Sequence, residues 1–291
     1  MAKISFLGLG AMGYHMAGHL ATKLNDEVIV WHRIGLRARQ WVKEFSGKQA
    51  DSIAAAVYDA DVVFTCLGRD EDVEAVLLAS NGAIEHLKAG AMLIDHTTTS
   101  AQLSKTLAKR LAQMNIAFMD APVSGGEEGA KNGALSCMLG GDAETLAKAK
   151  SWLDCYAHNV VLIGDVGSGQ LAKMVNQICI AGVLQGLSEG ILFAEAEQLN
   201  VDTVLAAISG GAAQSWQMNN RGKTMHAREF DFGFALKWMI KDLSYCLDQA
   251  QKNGVDLKNT EAVISAYRNL QADGHEDRDT SALIRQLDNN D

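Results

Sequence analysis

Proline is nearly absent from this chain of 291 residues, which contains only Pro122. Average usage of about 5% would give roughly fifteen prolines in a protein of this size. Because apolar residues make up 48% of the sequence, the chain can bury an ordinary core, and a disordered, proline-rich linker protein is excluded. The length predicts about two domains.

An excess of basic charge is also lacking. The 26 Lys and Arg residues are outnumbered by 35 Asp and Glu residues, which gives a net charge of −9, and no Lys/Arg-rich run occurs. A nucleic-acid backbone is therefore excluded as the main partner. The acidic residues are scattered rather than clustered, which is typical of a solvated surface.

The sequence has no long uninterrupted hydrophobic run. Its most apolar stretch, Ile178–Ala194, is interrupted by Gln185, Ser188 and Glu189, whose polar groups would be costly at membrane depth. We therefore predict a buried core helix there. The first residues enter a strand pattern at once, without the charged and apolar regions of a secretory signal. A soluble, cytoplasmic protein without a membrane partner is expected.

Patterns typical of disulfides, metal centres and hydrolases are lacking as well. The five cysteines are odd in number and include no C-x-x-C pair, which favours reduced, buried thiols. His15 and His19 have a spacing that can bind zinc, but no third ligand accompanies them, so no metal site is expected. A G-x-S-x-G strand-to-helix elbow is absent, which excludes an α/β-hydrolase.

The first half of the chain alternates strand patterns with helix patterns. The predicted strands are Ile4–Leu7, Val28–Trp31, Asp61–Leu67, Ala91–Asp95, Ile116–Asp120, Leu135–Leu139 and Val160–Ile163. The predicted helices are Ala11–Leu24, Leu36–Phe45, Asp70–Ala79 and Ser100–Met114. This alternation predicts an α/β fold with a mostly parallel, doubly wound sheet.

The second half of the chain has a different pattern. From Gly169 onward the strand signals end and the sequence is helical, with breaks near Asn200, Gly210–Gly211 and Gly254. We therefore predict two domains, residues 1–163 and an all-helical domain of residues 164–291.

A glycine-rich motif follows the first strand and opens the first helix. It reads Gly8-Leu9-Gly10-Ala11-Met12-Gly13, and this strand–turn–helix context favours a dinucleotide site over a turn that merely needs glycines. The first glycine forms the tight turn, the second lets the backbone approach a pyrophosphate, and the third allows close helix packing.

The end of the second strand bears on which dinucleotide binds. An NAD site usually has Asp or Glu there for the ribose 2′-hydroxyl. Here the strand ends in Trp31-His32-Arg33, with Arg37 and Arg39 close behind and no acid. Arginine can pair with a 2′-phosphate, so NADP is preferred over NAD. For Arg39 the alternative remains open that it is a solvated residue at the start of a helix and does not bind the cofactor.

Two further segments carry candidate chemistry. The small residues of 120–126, with Ser124 among them, follow a parallel strand and can form a nest for a carboxylate, although an ordinary turn is an alternative.

The second segment contains a lysine. Lys173 lies about one turn into the next long helix, with Asn176 and Gln177 on the same face. Such a lysine can act as a general acid or base if it faces a cleft, or it can extend to the surface.

Taken together, these segments identify a resemblance to the β-hydroxyacid dehydrogenase family, which includes 3-hydroxyisobutyrate dehydrogenase and tartronate semialdehyde reductase. The resemblance spans nearly the whole chain. It rests on G-L-G-A-M-G-Y-H-M-A at 8–17, D-A-P-V-S-G-G at 120–126, G-S-G-Q-L-A-K at 167–173 and Lys241-Asp242.

The resemblance implies roles for individual residues. Lys173 is the expected catalytic acid/base, Ser124, Gly125 and Gly126 the cradle for the substrate carboxylate, and Asn176 or Gln177 the amide that orients the substrate. Phe234 resembles an aromatic wall of the substrate pocket. The expected cofactor contacts are Gly8, Leu9, Gly10, Ala11, Met12, Gly13, His32, Arg33, Arg37, Leu67, Gly68, Thr97, Thr98 and Lys241.

Some positions depart from the family pattern. Gly68 stands where proline is frequent, and the segment Thr97-Thr98-Thr99-Ser100-Ala101 stands where S-T-x-x-P is frequent. Gln177 replaces the Asn that many members have, as in the tartronate semialdehyde reductase-like pattern, and His32 replaces an Asn. Because residue 177 is expected to contact the substrate, this difference makes the substrates of family members a weaker guide to the substrate of this chain.

The resemblance therefore implies an N-terminal Rossmann-type domain that binds NADP, and an all-α domain for substrate and oligomerisation. We expect an oxidoreductase that interconverts a small β-hydroxy acid and its semialdehyde, as a homodimer or homotetramer built through the helices. An imine reductase is the alternative, although Lys173 stands where those enzymes have Asp or Tyr. A decarboxylating 6-phosphogluconate dehydrogenase would be longer, and a non-enzymatic NADP-binding module would not need Lys173. Trp216 and Arg221 either shape the pocket or pack between helices.

Overall fold

The computed structural model describes residues 1–288, and the chain folds as two compact units. The first unit runs from Met1 to Lys173 and the second begins at Met174. The division falls inside a long helix. The start of this helix belongs to the first unit, because Gly167 and Gln170 hydrogen-bond to Asp120 there.

Within the described residues, nine strands form one sheet in the first unit. They are β1 (Lys3–Leu7), β2 (Glu27–Trp31), β3 (Lys48–Gln49), β4 (Val62–Thr65), β5 (Met92–Asp95), β6 (Ala117–Asp120), β7 (Val123–Ser124), β8 (Leu135–Gly140) and β9 (Ala157–Gly164). Their order is β3-β2-β1-β4-β5-β6-β8-β7, with β9 paired to β8. Pairing is parallel from β3 to β6, whereas β8 runs antiparallel to β6 and β7.

The sheet has a point where the order of strands reverses. β2 pairs with one edge of β1 and β4 with the other, so that Ile4 lies between Val28 and Val62. In open α/β sheets, ligands bind outside the carboxyl ends of the strands at such a point. The glycine motif directly follows the carboxyl end of β1.

Helices cover the sheet of the first unit. They are α1 (Ala11–Lys23), α2 (Gly35–Glu44), α3 (Ile53–Val57), α4 (Asp70–Leu77), α5 (Ala101–Ala112), α6 (Gly126–Lys131) and α7 (Ala143–Leu153). Because side chains alternate along a strand, Phe6 and Phe64 belong to one buried apolar cluster while Leu7 and Val63 belong to another. Both faces of the central strands are therefore buried, as is expected of a parallel sheet.

The second unit is built from helices. The long helix α8 (Ser168–Ala196) continues into it and is followed by α9 (Val201–Ile208), α10 (Trp216–His226), α11 (Leu236–Asn253) and α12 (Lys258–Ala272). The predicted breaks coincide with helix ends. Asn200 caps α9 by accepting the N–H of Thr203, and Gly254 ends α11 in the left-handed conformation, with φ 69°.

Helix α8 is long and apolar enough to cross a membrane by length and composition. One face of it is nevertheless buried in the second unit, at the spacing of an amphipathic helix. This face consists of Ala181, Leu184, Leu187, Ile191 and Ala194. The opposite stripe exposes Val175, Val183 and Phe193. The predicted core helix is therefore buried on one side and exposed on the other.

The predicted alternation of strands and helices is confirmed, with shifts at the ends of elements. The elements β3, β7, α3, α6 and α7 were not predicted from the sequence. The short elements β3 and β7 span two residues each, too few for a period to be visible. Helix α6, with the sequence GEEGAK, has no apolar stripe. The five cysteines are free thiols, but only three of them are buried as predicted, because Cys66 is half-buried and Cys179 is exposed.

Candidate active site

The glycine motif has the tight geometry that its sequence predicts. Gly8 has φ +102°, and a Cβ there would lie 2.3 Å from the carbonyl oxygen of Cys66. A Cβ on Gly13 would lie 2.1 Å from the Gly8 oxygen. A Cβ on Gly10 would meet no described atom within 4 Å. Packing within the protein therefore requires Gly8 and Gly13, whereas Gly10 leaves open the approach that a pyrophosphate needs.

Leu9, between the first two glycines, is held from both sides by residues that follow β2. Its N–H donates to Nδ1 of His32 at 3.2 Å, and its carbonyl oxygen accepts from Nε of Arg37 at 3.1 Å. The Arg37 guanidinium also stacks on the ring of Tyr14, 4.2 Å from its centroid. Burial and the charges of Arg33 and Arg37 lower the pKa of His32. The neutral imidazole, which can accept at Nδ1, is thereby favoured.

The exposed arginine after β2 stands apart from this contact. Arg33 reaches into solvent and pairs with Asp72 at the start of α4, with 3.1 Å between Nη1 and Oδ1. An exposed pair of this kind contributes little to stability, so the guanidinium can change partners at small cost. The positive charges at Arg33 and Arg37 fit a 2′-phosphate, and the free backbone approach at Gly10 fits a pyrophosphate. These residues would hold a dinucleotide.

Polar side chains line the carboxyl ends of the central strands. Thr65 Oγ1 donates to Asp95 Oδ1 at 2.7 Å, and the same oxygen accepts the N–H of Thr97 at 3.0 Å. Thr97 Oγ1 in turn accepts the N–H of Leu67 at 2.9 Å. Desolvation raises the pKa of Asp95 to about 6. The segments that contain Leu67-Gly68 and Thr97-Thr98 are therefore joined by a buried carboxylate and a hydroxyl.

His96 fixes the start of the loop after β6. Its Nδ1 donates to the carbonyl oxygen of Ala121 at 2.7 Å, and its Nε2 lies 2.8 Å from the hydroxyl of Tyr156. Because a carbonyl only accepts, the proton resides on Nδ1 and the tyrosine donates to Nε2. The ring stacks on Phe64, with 5.8 Å between centroids. Burial lowers the pKa of His96 to about 4.

The segment predicted to cradle a carboxylate contains the short strand β7. Ser124 pairs with Ser136 of β8. Gly125 and Gly126 then turn the chain with φ values of +135° and +64° into α6. A Cβ on Gly126 would meet no described atom within 4 Å. The structure thus keeps consecutive small residues at a helix start, an arrangement that suits an anion.

Lys173 lies in α8 and is only 8% exposed, so the structure does not place it on the surface. The start of its helix is bonded to the loops after β5 and β6. Asp120 accepts from the N–H groups of Gly167 and Gln170, and the Gln170 side chain bonds to Thr97 and Thr99. Asp120 and Gln170 were not predicted as site residues, although the buried acid at a strand end was a usable signal.

In the second unit, the two amides after Lys173 have different surroundings. Gln177 is 2% exposed, and its Nε2 donates to Asp242 Oδ2 at 2.5 Å. Its Oε1 accepts from Asn176 Nδ2 at 2.8 Å. Lys241 Nζ lies 3.1 Å from Asp242 Oδ1. A chain of contacts therefore links Asn176, Gln177, Asp242 and Lys241, with the less buried Asn176 at its end.

Another polar cluster of the second unit surrounds Asp279. The buried carboxylate accepts from Arg221 Nε at 3.2 Å and from the N–H of Phe234 at 2.9 Å. The Arg221 guanidinium packs over the rings of Trp216 and Phe232, at 5.1 and 4.7 Å from their centroids. Trp216 and Arg221 therefore pack with one another, and Phe234 is anchored by its backbone while its ring stays partly exposed.

The two histidines of α1 have protein partners. His19 Nε2 donates to the carbonyl oxygen of Ala130, at 3.0 Å, near the end of α6. His15 faces Glu127 at 3.9 Å. Their i, i+4 spacing therefore serves the packing of α1 against α6.

Two family models together match almost the whole chain. Residues 3–164 match a family model described as the NAD binding domain of 6-phosphogluconate dehydrogenase. Residues 167–287 match one described as NAD-binding of NADP-dependent 3-hydroxyisobutyrate dehydrogenase. The chain belongs to the β-hydroxyacid dehydrogenase family.

Individual relatives of this family cover the chain almost completely. An uncharacterized oxidoreductase of Shewanella frigidimarina (strain NCIMB 400) is 49% identical over 99% of both chains. The 2-hydroxy-3-oxopropionate reductase of Escherichia coli (strain K12) is 30% identical, and the match covers 98% of this chain and 97% of that relative. A solved structure, 3-hydroxyisobutyrate dehydrogenase of Mycobacterium tuberculosis with L-serine, has a TM-score of 0.89 and 28% identity over 99% of both chains. As a β-hydroxyacid dehydrogenase, the protein is an NAD(P)-dependent oxidoreductase that acts on CH–OH groups.

Proposed function

We propose that this β-hydroxyacid dehydrogenase prefers NADP and interconverts a small β-hydroxy acid with its semialdehyde. The observation that carries the proposal is the burial of Lys173 near the start of α8, in a family whose members oxidise CH–OH groups. A lysine that is largely shielded from solvent can act as a general acid or base. The proposed role of Lys173 is proton transfer at the substrate oxygen.

When bound, the nicotinamide supplies the hydride chemistry. Lys173 Nζ gives a proton to the substrate carbonyl oxygen in reduction and takes the hydroxyl proton in oxidation. The N–H groups and hydroxyl of Ser124–Gly126 bind the substrate carboxylate, which orients the reacting carbon. Among the amides, Asn176 is the better candidate for substrate contact, because Gln177 is committed to Asp242. Phe234 and Lys241 are assigned to the pocket wall and the cofactor, respectively.

The preference for NADP rests on the charges after β2. Arg33 is exposed and Arg37 lies beside the glycine motif, and the segment 32–37 contains no acid that would repel a 2′-phosphate. Thr97, Thr98, Leu67 and Gly68 are proposed to line the rest of the cofactor. The same proposal includes association of copies through the exposed stripe of α8, and a soluble, cytoplasmic enzyme whose partner is a small carboxylate.

The test is a nicotinamide-absorbance assay with a panel of small semialdehydes and their hydroxy acids, using NADPH and NADH in parallel. We expect turnover with carboxylate-bearing substrates and a higher kcat/KM with NADPH. Lys173→Met should lower kcat by a factor of about 10² to 10⁴, the usual contribution of a general acid/base. The binding of NADPH, measured by fluorescence titration, should be retained.

Lys148→Met provides the matched control, because Lys148 is an exposed lysine on α7. It should leave turnover unchanged. Turnover near that of the wild type in Lys173→Met would overturn the catalytic assignment. A kcat/KM that is higher with NADH would overturn the cofactor assignment, and absence of turnover with every substrate of the panel would overturn the substrate class.

A further inference from the structure

The first turns of α8 are joined to the sheet by a carboxylate and an amide that the proposed reaction does not use. Both side chains, Asp120 and Gln170, are fully buried. Both belong to the first unit, as does Lys173. Their contacts account for why this part of the helix folds with the sheet.

Asp120 caps α8 from outside the helix. Its Oδ1 accepts the N–H of Gly167 at 2.7 Å, and its Oδ2 accepts the N–H of Gln170 at 2.9 Å. The first N–H groups of a helix have no partner within the helix and favour a negative charge. Two of these donors are thus bound by one carboxylate located at the end of β6.

Two glycines allow this close approach. A Cβ on Gly140 would lie 2.3 Å from Asp120 Oδ1. A Cβ on Gly169 would lie 2.5 Å from the carbonyl oxygen of Met138 and 2.8 Å from that of Asp120. The strands β6 and β8 therefore contact the start of α8 through backbone atoms. This close contact leaves the Asp120 carboxylate little freedom to move.

Gln170 joins the same helix turn to the loop after β5. Its Oε1 accepts the N–H of Thr99 at 3.0 Å, and its Nε2 donates to the carbonyl oxygen of Thr97 at 2.8 Å. Thr97 also accepts the N–H of Leu67 through its hydroxyl. The loops after β4, β5 and β6 are in this way connected to one turn of α8.

The position of Lys173 follows from these contacts. It is three residues beyond Gln170, a rise of about 4.5 Å along the helix. A lysine side chain is long and flexible, so its reach is defined only if its backbone is fixed. Asp120 therefore fixes the position of the helix that carries the acid/base Lys173. It also begins the segment that forms the carboxylate cradle.

We propose that Asp120 and Gln170 are positioning residues, which act through Lys173 by fixing its helix relative to the Ser124–Gly126 cradle. This inference rests on the proposed role of Lys173. The experiment is a double-mutant cycle with Asp120→Asn and Lys173→Met in the full-length protein. An Asn retains one acceptor oxygen but presents an N–H₂ group to the second backbone donor.

The expected result is a kcat for Asp120→Asn that is lower by at least about tenfold, because a small misplacement of a catalytic group is enough for such a loss. NADPH binding, measured by fluorescence, should change less than twofold. In the Lys173→Met background, Asp120→Asn should cause no further loss of residual turnover, since residues that act as a unit are not additive. Gln170→Met should likewise lower kcat and should cause no further loss in the Lys173→Met background. Its NADPH binding is not a control, because Gln170 also bonds to Thr97, which is proposed to contact the cofactor.

The matched control is Asp142→Asn. Asp142 caps α7 in the same unit, accepting from the N–H and the hydroxyl of Thr145 at 2.8 and 2.7 Å. It should lower the Tm without lowering kcat. If Asp120→Asn fails to fold, Gln170→Met decides the question.

Two outcomes would overturn the inference while leaving the proposed function intact. One is an inactive Lys173→Met protein together with a wild-type kcat in the Asp120 or Gln170 variant. The other is an equal further loss when Asp120→Asn is added to Lys173→Met. A Lys173→Met protein with wild-type turnover would instead contradict the proposed function itself.

Discussion

The buried His96 should make the stability of the protein depend on pH. The imidazole is 2% exposed and neutral, with its Nδ1–H on the Ala121 carbonyl and its Nε2 accepting from Tyr156. Protonation would place a charge in an apolar site and force the tyrosine hydroxyl to turn. Accordingly, burial lowers the pKa of His96 from 6.5 to about 4.

The sign and size of the effect follow from linkage. Below the unfolded pKa, the unfolded chain binds a proton at His96 that the folded chain does not, so stability is present above pH 6.5 and is lost as the pH falls toward about 4. At about 1.4 kcal/mol for each pKa unit, the full loss is about 3 kcal/mol. At pH 5, about 2 kcal/mol of it should already be lost.

The assay is urea unfolding at about pH 8 and about pH 5 for the wild type and His96→Asn. Asn keeps a donor for the Ala121 carbonyl but does not titrate. Asp95, whose pKa burial raises to about 6, has an opposite effect: its contribution to stability is present below its unfolded pKa and is lost as the pH rises through about 6. Since Asp95 is present in both proteins, its contribution cancels from the difference.

We expect the wild type to lose about 2 kcal/mol more than His96→Asn between these two pH values. His158→Asn serves as the control, because His158 is exposed and also bonds one backbone carbonyl, that of Ala134. It should retain the pH dependence of the wild type. The reasoning is refuted if the wild type and His96→Asn lose the same stability.

Two further predictions concern the second unit. Gln177→Asn should lower the free energy of unfolding by about 1 to 3 kcal/mol, because the shorter amide withdraws a donor from the buried Asp242, and an unchanged urea midpoint would contradict this. Phe193→Glu places a charge in the exposed apolar stripe of α8 and should shift sedimentation toward a single-chain species. A wild type that already sediments as a single chain would argue against association through this stripe.

Much of the fold follows from patterns that are local in sequence. The glycine motif lies between β1 and α1, so its strand–turn–helix context is visible in a dozen adjacent residues. Asn200 and Gly254 mark helix ends for similar reasons, since a cap requires a particular residue type at one position. The helical second unit is likewise evident from periodicity.

The network behind the candidate site could not be predicted in this way. Gln170 bonds to Thr97 and Thr99, which are about seventy residues away in the chain. His96 meets Tyr156 only after β5 and β9 have joined one sheet. Such contacts depend on tertiary packing, and the residues involved have no characteristic spacing. Gln177 was predicted as a candidate amide. Its hydrogen bond to Asp242 could not be predicted, because that bond depends on the packing of α8 against α11.

The contact at Leu9 constrains any redesign of nucleotide preference. The usual strategy exchanges the residues after β2 so that an acid replaces the positive charges. Here His32 and Arg37 also bind the N–H and the carbonyl oxygen of Leu9, so replacing them would release the loop that must receive the pyrophosphate. Arg33 makes no such contact among its described partners and pairs only with the surface residue Asp72. Engineering toward NAD should therefore begin at Arg33 and leave the other two in place.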